Sequence, residues 1–206
     1  MRLMAALLVV VAAGGCSSGP QPMDDSGYER EILAWRAAKD AMFASSADSP
    51  LLPEDRMTFA GLRYYPINPM YRMPARLMVD RSKTLIIELP TSSTEMRRMQ
   101  RVGSLGFTLN GHALQLTAFA DEGVTTITRL FVPFGDLTSG TDTYGGGRYL
   151  ELDRTPTGLY DLDFNRSYHP FCVYNINYVC PVPPNENRLG TAILAGERLI
   201  TPEGRP

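Results

Sequence analysis

The spacing of apolar and polar positions divides the chain into three stretches. Leu3–Ala13 is apolar without interruption and follows a single early charge, Arg2. Eleven such residues fall short of the roughly 18–20 a membrane-spanning helix needs and match the core of an export signal. In the second stretch, Tyr28, Ile32, Trp35 and Met42 recur near helical spacing. They predict an amphipathic helix ending around Ala44–Ser46, with the sole tryptophan, Trp35, as a packing anchor. Ser26 and Glu29 have the spacing of a capping box at its start. Pro50, Pro53, Pro66, Pro69 and Pro74 then exclude a long helix and favour loops and short edge strands.

The third stretch reads as strands: Thr84–Leu89, Gly106–Leu109, Ala113–Phe119, Thr125–Val132, Arg148–Asp153 and Leu159–Phe164. Asn110-Gly111 predicts a tight hairpin, and Thr155–Gly158 predicts a second one joining the last two runs. The expected fold is mainly β within the α+β class. An N-terminal helix packs on a twisted antiparallel barrel or sandwich, with a long irregular C-terminal loop. Two segments break the strand rhythm, Phe134–Gly147 and Asn165–Asn187. Loops of that length are functional or disordered, and the aromatic residues and cysteines of the second mark it as packed.

Composition refines the compartment. Ala13-Gly14-Gly15 places small residues directly before Cys16, as a lipoprotein signal peptidase requires. Residues 1–15 are therefore expected to be a cleaved signal and Cys16 the lipidated N-terminus. Residues 16–26 follow as a tether, and 27–206 as one globular domain. Ser17, with no aspartate in that position, favours an outer membrane and a periplasm-facing domain. Two or more acyl chains give stable anchoring. The formal charge of −2 and the small Arg97, Arg98 and Arg101 cluster imply no nucleic-acid partner; the membrane is the expected partner, through the lipid.

The two loops carry Phe134-Gly135-Asp136, Thr143-Tyr144-Gly145, Arg148-Tyr149-Leu150, Asp163-Phe164-Asn165 and Tyr168. They continue with Pro170-Phe171-Cys172, Cys180-Pro181, Glu186-Asn187-Arg188-Leu189 and Ala195-Gly196-Glu197. These motifs resemble the bacterial family known as domain of unknown function 1684, over most of the chain from the helix onward. The resemblance implies no particular activity. It does show a departure at His169, where the family usually has asparagine, so a family-wide catalytic role would not rest there.

Several constellations could carry chemistry. Cys172 and Cys180 form an even pair, and in an oxidising envelope the default is a disulfide. A metal site or a nucleophilic Cys172 are the alternatives, although zinc wants four N or S ligands and only His169 and the distant His112 could join the sulfurs. Asp161 and Asp163 share one strand face. Glu186 is expected either to pair with Arg148 or Arg188 or to face a ligand. Gly145-Gly146-Gly147 lacks the lysine of a phosphate loop and reads as a tight turn. No common hydrolase or dinucleotide motif occurs, and neither a cofactor nor a resident metal is expected. The leading expectation is a loop-built pocket for a small polar ligand or envelope fragment. Tyr144, Tyr168 and Tyr174 would give flat contacts, and Asp136, Arg148, Asn165, Asn175, Glu186 and Asn187 would fix orientation. An enzyme using Glu186, Asp163 or Cys172 is the competing expectation, and a structural or assembly lipoprotein the third.

Overall fold

The computed structural model describes residues 25–80 and 85–199. The expected signal peptide (1–15), Cys16 and most of the expected tether lie outside them. Helix α1 (Asp25–Ser45) ends where the sequence predicts, but it already includes Asp25 and Ser26, so Ser26 is not the boundary residue that a capping box requires. Its buried stripe is Tyr28, Ile32 and Phe43, with Trp35 and Lys39 half-buried between them. Phe43, rather than the half-buried Met42, continues the stripe, because eleven residues from Ile32 complete three turns almost evenly.

The proline-rich stretch holds a single helical turn, α2 (Pro53–Arg56), and a 3-10 turn at Pro69–Tyr71. It then runs into β1 (Arg72–Val79), which is no edge strand. The remaining strands are β2 (Leu85–Pro90), β3 (Met96–Leu109), β4 (His112–Asp121), β5 (Arg129–Phe134), β6 (Arg148–Asp153) and β7 (Leu159–Asp163). All pairings are antiparallel, in the order β6-β5-β4-β3-β1-β7, with β2 added to the outer end of β3. β1 tolerates Pro74 because its ladders are offset. At Pro74 it pairs only with Asp161 of β7, and pairing with β3 begins at Arg76. The missing N–H therefore costs no second ladder bond.

Asn110 and Gly111 both have positive φ, 50° and 79°, the conformation a two-residue hairpin turn requires. The second expected hairpin does not form. β6 and β7 are joined by the short turn after Asp153, but β6 pairs with β5 and β7 with β1. The connection thus carries the chain from one sheet edge to the other, and the sheet curls into a nearly closed barrel. The barrel core contains Leu105, Leu116, Val132, Phe134, Leu150, Leu162 and Phe164, joined by Ile193 and Ala195 of the C-terminal stretch. Full burial of each large apolar side chain stabilises by roughly 1.5–3 kcal/mol. On the outer face a smaller cluster of Leu89, Met99 and Phe119, with Ile87 and Phe131, ties β2 to the barrel wall.

Candidate functional site

The loops expected to hold function build two different places. The first is a buried polar junction where Phe134–Gly147, the C-terminal stretch and α1 meet. Arg148, with no exposed surface, donates from Nη2 to Asp136 (2.9 Å) and to the Ile193 carbonyl (2.8 Å). Its Nη1 donates to the carbonyls of Ala195 and of Glu197 (3.1 Å). Asp136 also accepts from the backbone N–H of Thr138 (2.7 Å) and of Ile193 (3.3 Å). Gly147, at φ 88°, lets the glycine run turn so closely that a Cβ there would lie 2.5 Å from the Phe134 carbonyl oxygen.

Glu197 is fully buried beside this junction. It pairs with Lys39 of α1 (2.5 Å) and accepts from the His169 backbone N–H (2.7 Å) and the Tyr174 hydroxyl (3.0 Å). The Lys39 ammonium lies 4.1 Å from the centre of the Tyr168 ring. His169 Nε2 accepts from the Tyr144 N–H (3.3 Å), which leaves the proton on Nδ1, 3.6 Å from Glu197. Burial, reinforced by Arg148 and Lys39, holds the His169 pKa well below 6.5, so the ring is neutral.

The other predicted polar residues are likewise bound to the protein itself. Asn187 accepts from the Thr117 N–H (2.7 Å) and donates to the carbonyls of Thr117 (2.9 Å) and Pro133 (2.7 Å). Asn165 clasps the Asn68 backbone through both ends of its amide, each at 2.9 Å. Asp163 accepts from the Tyr28 hydroxyl (2.8 Å) and so pins α1 to β7. Asp161, two residues earlier, pairs with Arg72 at the surface. Asn175 donates to the Pro50 carbonyl (3.0 Å). Glu186 is exposed on the 3-10 turn Asn185–Asn187. Among the described residues it forms no ion pair with Arg148 or Arg188; the carboxylate that Arg148 takes is Asp136.

The second place is a cleft of about 400 Å³ on the outer barrel wall, under the segment Tyr168–Pro181. One limb of this segment is held by the paired backbones of Tyr149 and Tyr168 (2.8 and 3.1 Å). The other is held by Ser92, which donates its N–H to the Cys180 carbonyl (2.8 Å) and accepts the Cys180 N–H at Oγ (3.0 Å). Met99, Phe131, Tyr149, Phe171 and Tyr178 line the cleft, with Arg97 and Arg129 at its rim. Phe131 meets Tyr149 edge-on at 4.7 Å between ring centres. Arg129 bridges Glu151 (3.1 Å) and Asp153 (3.0 Å), and Tyr168 donates to Glu151 (3.0 Å). These rim pairs are solvated and individually weak.

Cys180 lines this cleft and Cys172 lies against it. The expected disulfide is not formed: both are free thiols. Cys180 Sγ accepts the Cys172 N–H (3.2 Å). The neighbouring Cys180 thiol, with the Ser92 and Tyr144 hydroxyls acting in the same direction, lowers the Cys172 pKa to about 7, while Cys172 and burial push that of Cys180 up. His169 cannot join the sulfurs, since both its nitrogens face elsewhere. Among the described residues no group of three His, Cys, Asp or Glu side chains is placed to hold a metal ion.

A family model described as a protein of unknown function, DUF1684, matches residues 57–198. The chain belongs to the DUF1684 family. A solved structure, the uncharacterized protein from gene locus rrnAC0354 of Haloarcula marismortui, is similar to this DUF1684 chain at 40% identity. The match covers 85% of this chain and 96% of that one, with a TM-score of 0.64. No curated protein matches. The residues that sequence reasoning missed are Lys39, Glu197, Ser92 and the cleft wall. Glu197 was signalled by Gly196, whose φ of 77° brings the chain within reach of Ser167 and Phe164.

Proposed function

We propose that the mature DUF1684 chain is an envelope lipoprotein, held through Cys16 to the periplasmic side of the outer membrane, that binds a small amphipathic ligand in the cleft beneath Tyr168–Pro181. The observation that carries the reading is the cleft itself. It offers an aromatic floor for a flat apolar body and two rim arginines for an anionic or strongly polar group. Because Arg97 and Arg129 hold only solvated partners, they can turn to a ligand at small cost. Of the residues first expected to touch a ligand, Tyr168 lines the cleft. Asp136, Arg148, Asn165 and Asn187 support it from within by fixing the loops.

Anilinonaphthalene sulfonate, a flat aromatic anion, tests this reading. Native protein should show saturable, single-site fluorescence enhancement, and Phe131→Ala with Arg129→Gln should weaken it at least tenfold while the melting transition persists. Enhancement that does not saturate, or that the double variant leaves unchanged, would overturn the assignment.

A further inference from the structure

The barrel wall contains a fork that the cleft does not use. β1 and β3 pair from Val79–Gly103 to Arg76–Gly106, and there their ladder stops. Beyond that point β3 runs on through Phe107–Leu109, paired on its far side with β4, while Arg72–Ala75 of β1 pairs only with β7. Strand edges without a ladder present N–H and C=O groups that a further strand can take. A cavity of about 530 Å³ lies in this fork, lined by consecutive residues of both strands. On its inner side Met73, Ala75 and Phe107 belong to the barrel core; Pro74, Thr108 and Leu159 are exposed. Arg76 is the one charged residue in the lining, and the nearby carboxylate of Asp161 is already taken by Arg72. The fork and the cleft share no lining residue.

We infer that the β1–β3 fork is a docking site for the apolar C-terminal end of an extended peptide, its backbone added to Phe107–Leu109 and its carboxylate at Arg76. The open edges favour a peptide over an acyl chain. An acyl chain would cover the free N–H and C=O groups without replacing their water, whereas a peptide continues the ladder. The ladder resumes at Arg76–Gly106, so no path is left for a strand to pass through, and the bound segment must end there. The charge at the apex decides which end: Arg76 attracts a carboxylate and repels an ammonium. A C-terminus entering from the open side runs antiparallel to β3 and parallel to β1. Pro74 offers no N–H, so β3 carries most of the pairing. At about 3.3 Å per residue the gap admits about three residues. Their side chains alternate between faces; inward ones meet Met73, Ala75 and Phe107, which selects apolar residues.

The test uses the full chain with Cys16→Ser and a fluorescein-labelled peptide, Gly-Ser-Val-Ile-Val with a free C-terminus, followed by anisotropy. Saturable binding is expected, roughly fivefold weaker or more for the C-terminal amide, and Arg76→Gln should erase that preference. Gly106→Val should weaken binding roughly tenfold or more without lowering the melting temperature, since valine suits a strand. A Cβ there lies 3.8 Å from the Met78 methyl and 4.0 Å from the Arg76 carbonyl oxygen, ordinary contact distances. No saturable binding, or equal binding of acid and amide, would overturn the inference. So would binding that Arg76→Gln and Gly106→Val leave unchanged. Loss of binding in Phe131→Ala with Arg129→Gln would place the peptide in the cleft and overturn it too. Displacement by sodium decanoate as effective as that by unlabelled peptide would overturn it in favour of an acyl chain. If Gly106→Val fails to fold, the acid–amide comparison in the native chain and in Arg76→Gln still decides the matter.

Discussion

The two polar regions of this barrel lie within one pair of loops yet are built on opposite principles. At Arg148 the charge is met at both terminal nitrogens: Asp136 and three backbone carbonyls take their hydrogens, Nε is buried without a partner, and no surface remains exposed. At the cysteine corner the printed contact is a single weak one, the Cys172 N–H donated to Cys180 Sγ at 3.2 Å, and Cys172 is only half-buried. Satisfied burial fixes a conformation, because any rearrangement leaves a charge without water or partner. A half-open corner held by one weak contact instead costs little to rearrange. The first region therefore governs whether the cleft exists, and the second what happens beside it.

The strongest attack on this contrast is Arg148→Met. It fills the space but leaves Asp136 buried without its counter-charge and three carbonyls short of donors. A loss of about 3–5 kcal/mol is expected, a large part of the stability of a domain this size. Urea unfolding measures it; a loss under 1 kcal/mol would show that the junction relaxes freely, and would remove the contrast.

A smaller effect comes from His169, which faces Arg148, Lys39 and Glu197 and is neutral in the folded chain. Its folded pKa lies below the unfolded value of 6.5. Between the two, the unfolded chain binds the proton and the native chain does not. Stability therefore falls as pH drops below about 6.5, by up to about 1.4 kcal/mol per pH unit from this group. Urea midpoints compared between pH 7 and pH 5 should show the loss, and His169→Asn should flatten it. A variant that keeps the full slope would assign it to other groups.

How much of this was legible in the sequence follows the range of the forces involved. Local signals read well: Asn110-Gly111 made its turn, Arg148–Asp153 its strand, and α1 stopped where expected. Partnerships across the fold did not. The turn before Leu159 looked like a hairpin because period and turn chemistry are local, whereas the choice of β1 over β6 depends on barrel closure. Asp136, Arg148, Asn165 and Asn187 were visible as polar residues in packed loops, but whether such a group meets a ligand or a backbone is set by residues 45 to 97 positions away. Glu186 and Glu197 stood close together in sequence, and nothing local revealed that one is exposed and the other fully buried. The free thiols show the limit most plainly, since composition and compartment argued for a bond.

The smallest expected effect is also the sharpest discriminator. Cys172→Ser keeps the volume nearly constant and leaves in place the backbone N–H that Cys180 Sγ accepts, at a site that is only half-buried. Its cost should stay within about 1 kcal/mol, the range of a single exchanged hydrogen bond. Alkylation of residue 172 by iodoacetamide, by contrast, should vanish, because a serine hydroxyl does not ionise near neutrality. Melting temperature and iodoacetamide alkylation measured on one sample separate the two regions. If Cys172→Ser instead destabilises as much as Arg148→Met, the thiol corner is a second structural junction, and its donors serve to hold the Tyr168–Pro181 segment in place.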